Sequence, residues 1–391
     1  MILVVFIDGL KYNLIKDHMP FLNSLNKKRL LSDFGYSCTC HATIYTGMLP
    51  EKHGLWFVWN RDGSTPFGIT KYLPQNGFFD NLPIRFAVNR IVRKVVKNDS
   101  FPGIPLLVNL PLKYWHEFNV VEKKMWNSDG YLSPYKTIFE ILRDNKISHS
   151  FNGVNKKLEY FQQMVEARIS NDLFQYFFVG DIDNYMHSYG DDSSIVFELL
   201  GKLDTEIRNK FETILKSDPD AQIVCFSDHG HINVDEEIDI NSFFKSEGDE
   251  ITNYIHLVES TFVRFWTRNG KESGRILNIL KNIESAGYGF LVDETVAGRY
   301  GLNFPHNKYG DLVFHIKAPR ILVNTIWGYG KSIRSMHGYE PELENHHGFF
   351  ASNLKMTEKE YVQLVDILPS ILDLLEIDGN KYGLEGEILW K

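Results

Sequence analysis

Short apolar runs that each end at a polar turn constrain the fold of this chain more than any other feature. Residues 1–7, 174–179 and 222–226 are such runs, and an acidic residue follows each of them within two positions. Patterns typical of helices separate the runs, for example over residues 160–168 and 196–216. Strands that alternate with helices form parallel sheets covered on both faces. The sequence therefore predicts an α/β fold with a mostly parallel sheet sandwiched by helices.

Acidic and imidazole side chains follow these runs. Ligands in such folds gather at the carboxyl ends of the strands, and a carboxylate and imidazole set suits zinc or a similar divalent ion. An aspartate at a strand end is on its own more often a helix cap. The recurrence of the pattern at three strand ends favours metal binding. The candidates, five of them after these strands and one in a later loop, are Asp8, Asp183 with His187 four residues on, Asp228 with His229, and His337.

A hydroxyl residue, Ser37, precedes a run with the pattern of a helix. The first turn of a helix has unpaired N–H groups that favour an anion. A metal beside such a hydroxyl lowers its pKa, so that it can act as a nucleophile without a histidine base. The alternative from the residues alone is that Ser37 only caps the helix.

Two stretches interrupt the alternation of strands and helices. Residues 60–131 are rich in proline, glycine, asparagine and aromatic residues, and residues 239–319 contain one strand-like and one helix-like run. We interpret the first as a cap insertion and the second as an insertion or subdomain within a single catalytic domain of residues 1–391. The last helix is predicted over residues 362–375.

The net charge and the cysteine content limit the classes of partner and the cellular locations that we expect. A net charge of −8 gives no overall basic field, so no nucleic acid polymer is expected as a partner. No apolar run is long enough for a transmembrane helix, and three cysteines, an odd and sparse number, favour a reducing, cytoplasmic location.

The pattern of residues 83–97 predicts an amphipathic helix that carries Arg85, Asn89, Arg93 and Lys97 on one side. This face either contacts a membrane surface peripherally or is simply solvated.

In order along the chain, these segments resemble the alkaline phosphatase superfamily, and within it the type I phosphodiesterase/nucleotide pyrophosphatase group. The resemblance extends from residue 2 to about residue 387. Its motifs are Phe6-Ile7-Asp8-Gly9, Thr46-Gly47-Met48-Leu49-Pro50-Glu51-Lys52-His53-Gly54, Asp183 with His187 and Gly190, Ser227-Asp228-His229-Gly230, and Met336-His337-Gly338-Tyr339-Glu340-Pro341.

The resemblance implies roles for these residues. One divalent ion would be bound by Asp183, His187 and His337, and the other by Asp8, Asp228, His229 and the nucleophile. Counting back from His41 places the nucleophile at Ser37. Thr39, where the group usually has proline, is the alternative. Asn60 is the candidate for phosphate contact, although it lies about two residues later than in the group.

The implied function is a two-metal hydrolase, with zinc as the expected ion, that cleaves a phosphodiester or phosphoanhydride of a small molecule through a phospho-serine intermediate. Two alternatives remain open from the sequence. One is a phosphomonoester or phosphonate hydrolase of the same superfamily, and the other is a catalytically inactive binding protein.

Overall fold

The structure, a computed structural model, describes residues 1–63, 65, 67–73, 80–96, 110–153, 159–327 and 332–391. The chain forms two compact units. Unit 1 comprises Met1–His53, Leu132–Asn233 and Ser332–Lys391, and unit 2 comprises Gly54–Tyr131 and Val234–Lys331. Residues 60–131 and 239–319, which the sequence predicts as insertions, both fall within unit 2. Their assignment as a cap to one catalytic domain stays a prediction.

The strands of the described residues are β1 Ile2–Ile7, β2 Asn26–Leu31, β3 Trp59–Asn60, β4 Asn119–Val120, β5 His149–Asn152, β6 Phe174–Val179, β7 Gln222–Phe226, β8 Ile232–Asn233, β9 Glu236–Ile238, β10 Ile255–Val258, β11 Phe262–Trp266, β12 Gly289–Leu291, β13 Leu312–Ile316, β14 Arg320–Leu322, β15 Ser335–Met336, β16 Gly348–Ser352 and β17 Tyr361–Gln363. The α-helices are α1 Tyr12–His18, α2 Pro20–Ser24, α3 Ser37–Thr46, α4 Pro50–His53, α5 Leu82–Val96, α6 Ile138–Asp144, α7 Tyr160–Glu166, α8 Asp181–Tyr189, α9 Ser194–Leu215, α10 Ile240–Ser246, α11 Gly270–Ser285, α12 Glu294–Arg299 and α13 Ile367–Leu374.

A seven-stranded sheet, in the order β17-β2-β16-β7-β1-β6-β5, organises unit 1. The pairs β1–β6, β1–β7, β5–β6 and β17–β2 are parallel. Only β16 runs against its two neighbours. The predicted fold class is therefore confirmed as α/β with a mixed, mostly parallel central sheet and small additional sheets.

Helices cover both faces of this sheet. Every residue of β1 is buried, as expected for a central strand of a parallel sheet. On one face, Leu3 and Val5 of β1 share an apolar core with Leu200 of α9. On the other face, the ring of Phe6 lies 6.4 Å from that of Tyr45 on α3. These contacts fix the position of α3 over the sheet.

The last helix begins later than predicted. Residues 361–363 form the edge strand β17 beside β2, and α13 begins only at Ile367. Val362 is buried between two exposed neighbours, Tyr361 and Gln363. That alternation has the period of a strand, so the first part of the predicted helix was wrong.

Unit 2 contains a four-stranded antiparallel sheet, β10-β11-β13-β12, against which α11 packs through an apolar core. The predicted basic helix corresponds to α5, but its predicted polar face is not a solvated one, because Asn89 is buried and Arg85 is largely buried and paired with Asp80. Lys97 and the side chain of Arg93 lie outside the described residues. No described helix is long and apolar enough to cross a bilayer.

Candidate active site

Helix α8 positions two residues of the first ligand group, which comprises Asp183, His187 and His337. Asp183 and His187 lie one turn apart on α8, with 3.3 Å between the carboxylate Oδ1 and Nε2. His337 directly follows β15, and its Nε2 lies 3.6 Å from the same oxygen. The three ligand atoms lie within 4.8 Å of one another.

The ring of His187 is oriented by the backbone of Ser335. Nδ1 of His187 lies 2.9 Å from the Ser335 carbonyl oxygen and donates to it. In the neutral ring, which is the form that binds a metal, the lone pair of Nε2 then points towards Asp183. A metal-binding histidine usually donates the N–H of its other ring nitrogen to such a group, which fixes the orientation of the ring.

Two neighbouring strands of the central sheet position the second ligand group, which comprises Asp8, Asp228 and His229. Asp8 directly follows β1, and the other two residues follow β7. Because β1 and β7 are parallel neighbours, their carboxyl ends bring these residues together. Nε2 of His229 lies 3.5 Å from Asp8 Oδ1 and 3.3 Å from Asp228 Oδ2.

The electrostatics of the second ligand group fit a bound cation. Asp8 Oδ1 and Asp228 Oδ2 are buried and lack a hydrogen-bond partner among the described residues. Burial and the nearby Asp228 carboxylate raise the pKa of Asp8 to about 7. Two neighbouring buried carboxylates repel each other unless a positive charge lies beside them. The donor set and its unpaired oxygens therefore suit a divalent ion.

His41, on α3, is a residue of the site to which the sequence analysis gave no role. Its Nε2 lies 3.5 Å from Asp8 Oδ2 and 3.3 Å from Asp228 Oδ2. Burial by itself would lower the pKa of His41, but the two neighbouring carboxylates, Asp228 and Asp8, raise it to about 10. His41 is therefore positively charged in the metal-free protein and partly offsets the charge of the two carboxylates.

Ser37 is the first residue of α3. Its Oγ lies 3.0 Å from Nε2 of His229, a member of the second ligand group. Thr39, the alternative nucleophile, is fully buried in the same helix.

The two ligand groups are adjacent. The rings of His229 and His337 stack with centroids 3.9 Å apart and planes 11° from parallel. A further histidine, His231, joins them, because its ligand atom lies within 4.8 Å of those of Asp183 and His229. His231 was not predicted from the sequence. Its spacing of two residues from His229, just beyond a strand end, was the available signal.

Asn60 lies in β3 of unit 2. Its side chain is buried, with Nδ2 3.4 Å from a carboxylate oxygen of Asp62. Oδ1 of Asn60 lacks a hydrogen-bond partner among the described residues. Its contact with substrate stays a prediction.

Comparisons with known proteins agree with this fold. Residues 2–340 match the family model of type I phosphodiesterase/nucleotide pyrophosphatase. No curated protein matches the chain.

Solved structures of ectonucleotide pyrophosphatase/phosphodiesterase 5 have a similar fold. The murine protein superposes with a TM-score of 0.64 and the human protein with 0.65, both at 12% identity, over 96% of this chain and 95% of theirs. An inactive form of the murine protein in complex with AMP also has a TM-score of 0.64 and 12% identity, with the same coverage of both chains. At this level of identity the likeness concerns the fold.

Proposed function

The chain belongs to the type I phosphodiesterase/nucleotide pyrophosphatase family of hydrolases, and from that premise we propose that it hydrolyses a phosphodiester or phosphoanhydride with Ser37 as nucleophile. The observation that carries this proposal is the 3.0 Å separation between Ser37 Oγ and His229 Nε2. It places a partly exposed hydroxyl beside the second ligand group. Thr39 is 0% exposed, so a substrate would have to displace part of α3 to reach it.

The proposed cofactors are two zinc ions. Asp183, His187 and His337 would hold one ion, and the second ligand group with Ser37 would hold the other. Carboxylate and imidazole donors are typical of catalytic zinc sites. When bound, such ions polarise a phosphoryl oxygen and lower the pKa of a neighbouring hydroxyl.

The residues of the chain supply the nucleophile and its orientation. Ser37 Oγ attacks phosphorus, loses its proton, and replaces the leaving alcohol or phosphate, which takes up a proton. The phospho-serine is then cleaved by water, which restores the hydroxyl. The start of α3 directs backbone N–H groups towards the phosphoryl oxygens. The net reaction adds one water molecule across one phosphorus–oxygen bond.

The proposed substrate class is a small phosphate ester, with nucleotides as the first candidates. The murine relative of similar fold has been solved in complex with AMP. We assign Asn60 to substrate binding because a buried amide whose Oδ1 lacks a partner among the described residues has hydrogen-bonding capacity left for a ligand.

The proposal is tested with Ser37→Ala and Thr39→Ala side by side. We expect Ser37→Ala to lower kcat by about 10³-fold or more while the zinc content stays the same. Thr39→Ala should keep a measurable kcat and a phosphorylated Ser37 peptide after acid quench. Loss of activity in Thr39→Ala together with full activity in Ser37→Ala would place the nucleophile at Thr39.

Parallel assays with a nitrophenyl phosphodiester, monoester and sulfate separate the function classes. Preference for the diester supports the proposal, whereas preference for the monoester identifies a phosphomonoesterase. A chain that binds zinc but turns over none of the three, nor a nucleotide pyrophosphate, would be a binding protein.

We also propose that α5 contacts membranes peripherally and that the protein is cytoplasmic. Leu82, Phe86 and Ile91 of α5 are each more than half exposed. The basic residues Arg90 and Lys94, which lie outside the predicted basic face, are also exposed. Phe86→Glu should lower sedimentation with anionic vesicles, whereas Ile388→Glu, at an exposed apolar position of unit 1, should not. Absence of wild-type sedimentation would reject the contact.

The proposed cytoplasmic location is supported by the three cysteines, which all lie in described segments and form no disulfide there. Fractionation of cells tests this location.

A further inference from the structure

His231 belongs to the sequence segment of the second ligand group but contacts the first. It is fully buried, and its Nε2 lies 3.0 Å from Oδ1 of Asp183. Gly9 leaves room for this approach, because a Cβ atom at Gly9 would lie 2.9 Å from that nitrogen and 3.0 Å from the Asp183 backbone.

The hydroxyl of Ser335 determines which ring nitrogen of His231 carries the proton. Ser335 Oγ lies 2.7 Å from the carbonyl oxygen of Met186 and 3.1 Å from Nδ1 of His231. A hydroxyl has one proton to donate, and the shorter contact to a carbonyl takes it. Ser335 Oγ can then only accept from His231, so the ring proton lies on Nδ1.

This tautomer leaves the Nε2 lone pair of His231 directed at Asp183 Oδ1. Two acceptors 3.0 Å apart in a buried site require a cation to bridge them. His187 has the same arrangement, since its Nδ1 donates to the Ser335 carbonyl and its Nε2 faces the same oxygen. One residue, Ser335, thus orients two imidazoles towards Asp183.

We propose that His231 is a further ligand of the divalent ion held by Asp183. The two-metal centre then contains four imidazoles, those of His187, His229, His231 and His337. The ligand atoms of Asp183, His229 and His231 lie close enough together for this role, within 4.8 Å of one another. The inference rests on the two-metal centre of the proposed function and is independent of the substrate.

Proton NMR of the cobalt-substituted protein tests the ligation directly. A ring N–H proton of an imidazole bound to high-spin cobalt shows a large hyperfine shift and disappears in D₂O. We expect His231→Gln to remove one such signal from the spectrum of the wild type. His149→Gln, a change at a histidine of β5 in the same unit, should leave every signal in place. A spectrum of His231→Gln that keeps all the wild-type signals would overturn the proposal.

X-ray absorption of the zinc-loaded wild type gives the answer without any variant, in case His231→Gln does not fold. Four imidazoles shared between two zinc ions support His231 as a ligand. Three imidazoles with two ions bound would overturn that role and leave the proposed metal centre intact, with His231 donating a hydrogen bond from Nε2 to Asp183 instead. Failure to bind zinc or cobalt would overturn the metal centre and this inference together.

Discussion

The first and second ligand groups lie side by side in unit 1 but differ in the balance of charge. The first has one carboxylate, Asp183, with histidines around it. Burial would raise the pKa of Asp183, but the charge and the hydrogen bond of His187 hold it well below its usual range. In the second, Asp8 faces another carboxylate, and burial together with Asp228 raises its pKa to about 7.

The two groups also differ in what fixes their positions. The second group stands at the ends of two central strands whose residues are almost all buried. The first depends on one helix face and on the short pair of β8 and β15, whose Ser335 holds two of the rings. In the metal-free protein, repulsion between carboxylates should therefore be confined to the second group, because the first has a single carboxylate whose charge His187 offsets.

The largest expected effect is that of Asp8→Asn on the pH dependence of stability. The raised pKa of Asp8 means that the folded state keeps a proton that the unfolded state loses. The stability contributed by this proton is present below the unfolded pKa and is lost as the pH rises to about 7. The rise in the pKa of Asp8 between the unfolded and the folded state corresponds to about 4 kcal/mol of stability. Asp8→Asn should therefore raise the free energy of unfolding of the metal-free protein above pH 7 by up to that amount.

Urea unfolding in the presence of a chelator, at pH values from about 4 to about 8, measures this effect. The difference between wild type and variant is the informative quantity, because burial also raises the pKa of Asp33 to about 7. Asp17→Asn, at an exposed position of α1, is the control and should leave the pH profile unchanged. If Asp8→Asn is less stable than wild type at every pH, the second group is not strained and the contrast fails.

Asp183→Asn should have the opposite sign. It removes the carboxylate that pairs with His187 at 3.3 Å on the same helix. Hydrogen bonds to a charged group contribute about 1.5–3 kcal/mol, so we expect a loss of about 2 kcal/mol in the metal-free protein at neutral pH. The measurement is the same urea titration, and a gain in stability would mean that the two groups are alike.

The pH dependence of this loss separates it from simple damage to packing. The depressed pKa of Asp183 contributes stability that is present above the unfolded pKa, near 4, and is lost as the pH falls through the folded pKa. The difference between wild type and Asp183→Asn should therefore shrink in acid. A difference that is the same at pH 3 and pH 7 would point to packing alone.

The second group was the easier one to predict from sequence. Asp8 and Asp228 directly follow buried apolar strands, and a parallel sheet brings the ends of neighbouring strands together whatever lies between them in sequence. The position of His187 one turn after Asp183 likewise follows from helix geometry. These local rules place the carboxylates without knowledge of the tertiary structure.

His41 and His231 could not be assigned in that way, because their surroundings come from distant parts of the chain. His41 reaches Asp8 and Asp228 only because α3 packs across β1 through Phe6. His231 reaches Asp183 because Ser335, more than a hundred residues further on, bonds to its ring. The start of α13 was wrong for the same reason, since pairing with β2 draws residues 361–363 into a strand.

The smallest expected effect concerns the support of the first group. Ser335→Ala removes the hydroxyl that bonds to Met186 and His231 but keeps the carbonyl that bonds to His187. We expect a loss of about 1 kcal/mol in the stability of the metal-free protein. Zinc affinity of the first group should fall by about tenfold, the lower end for residues that orient a ligand. Isothermal titration calorimetry of the metal-free protein measures the affinity.

The matched control is Ser188→Ala. Ser188 also bonds from its hydroxyl to a carbonyl of α8, at 2.9 Å, but it is exposed and bonds to Asn184. Both variants lose one hydroxyl that bonds to a carbonyl of α8, so only an effect on zinc affinity that is specific to Ser335→Ala supports the orienting role. Equal affinity in the two variants would show that the first ligand group is held by the strands and the helix without this hydroxyl. The two groups would then differ only in charge.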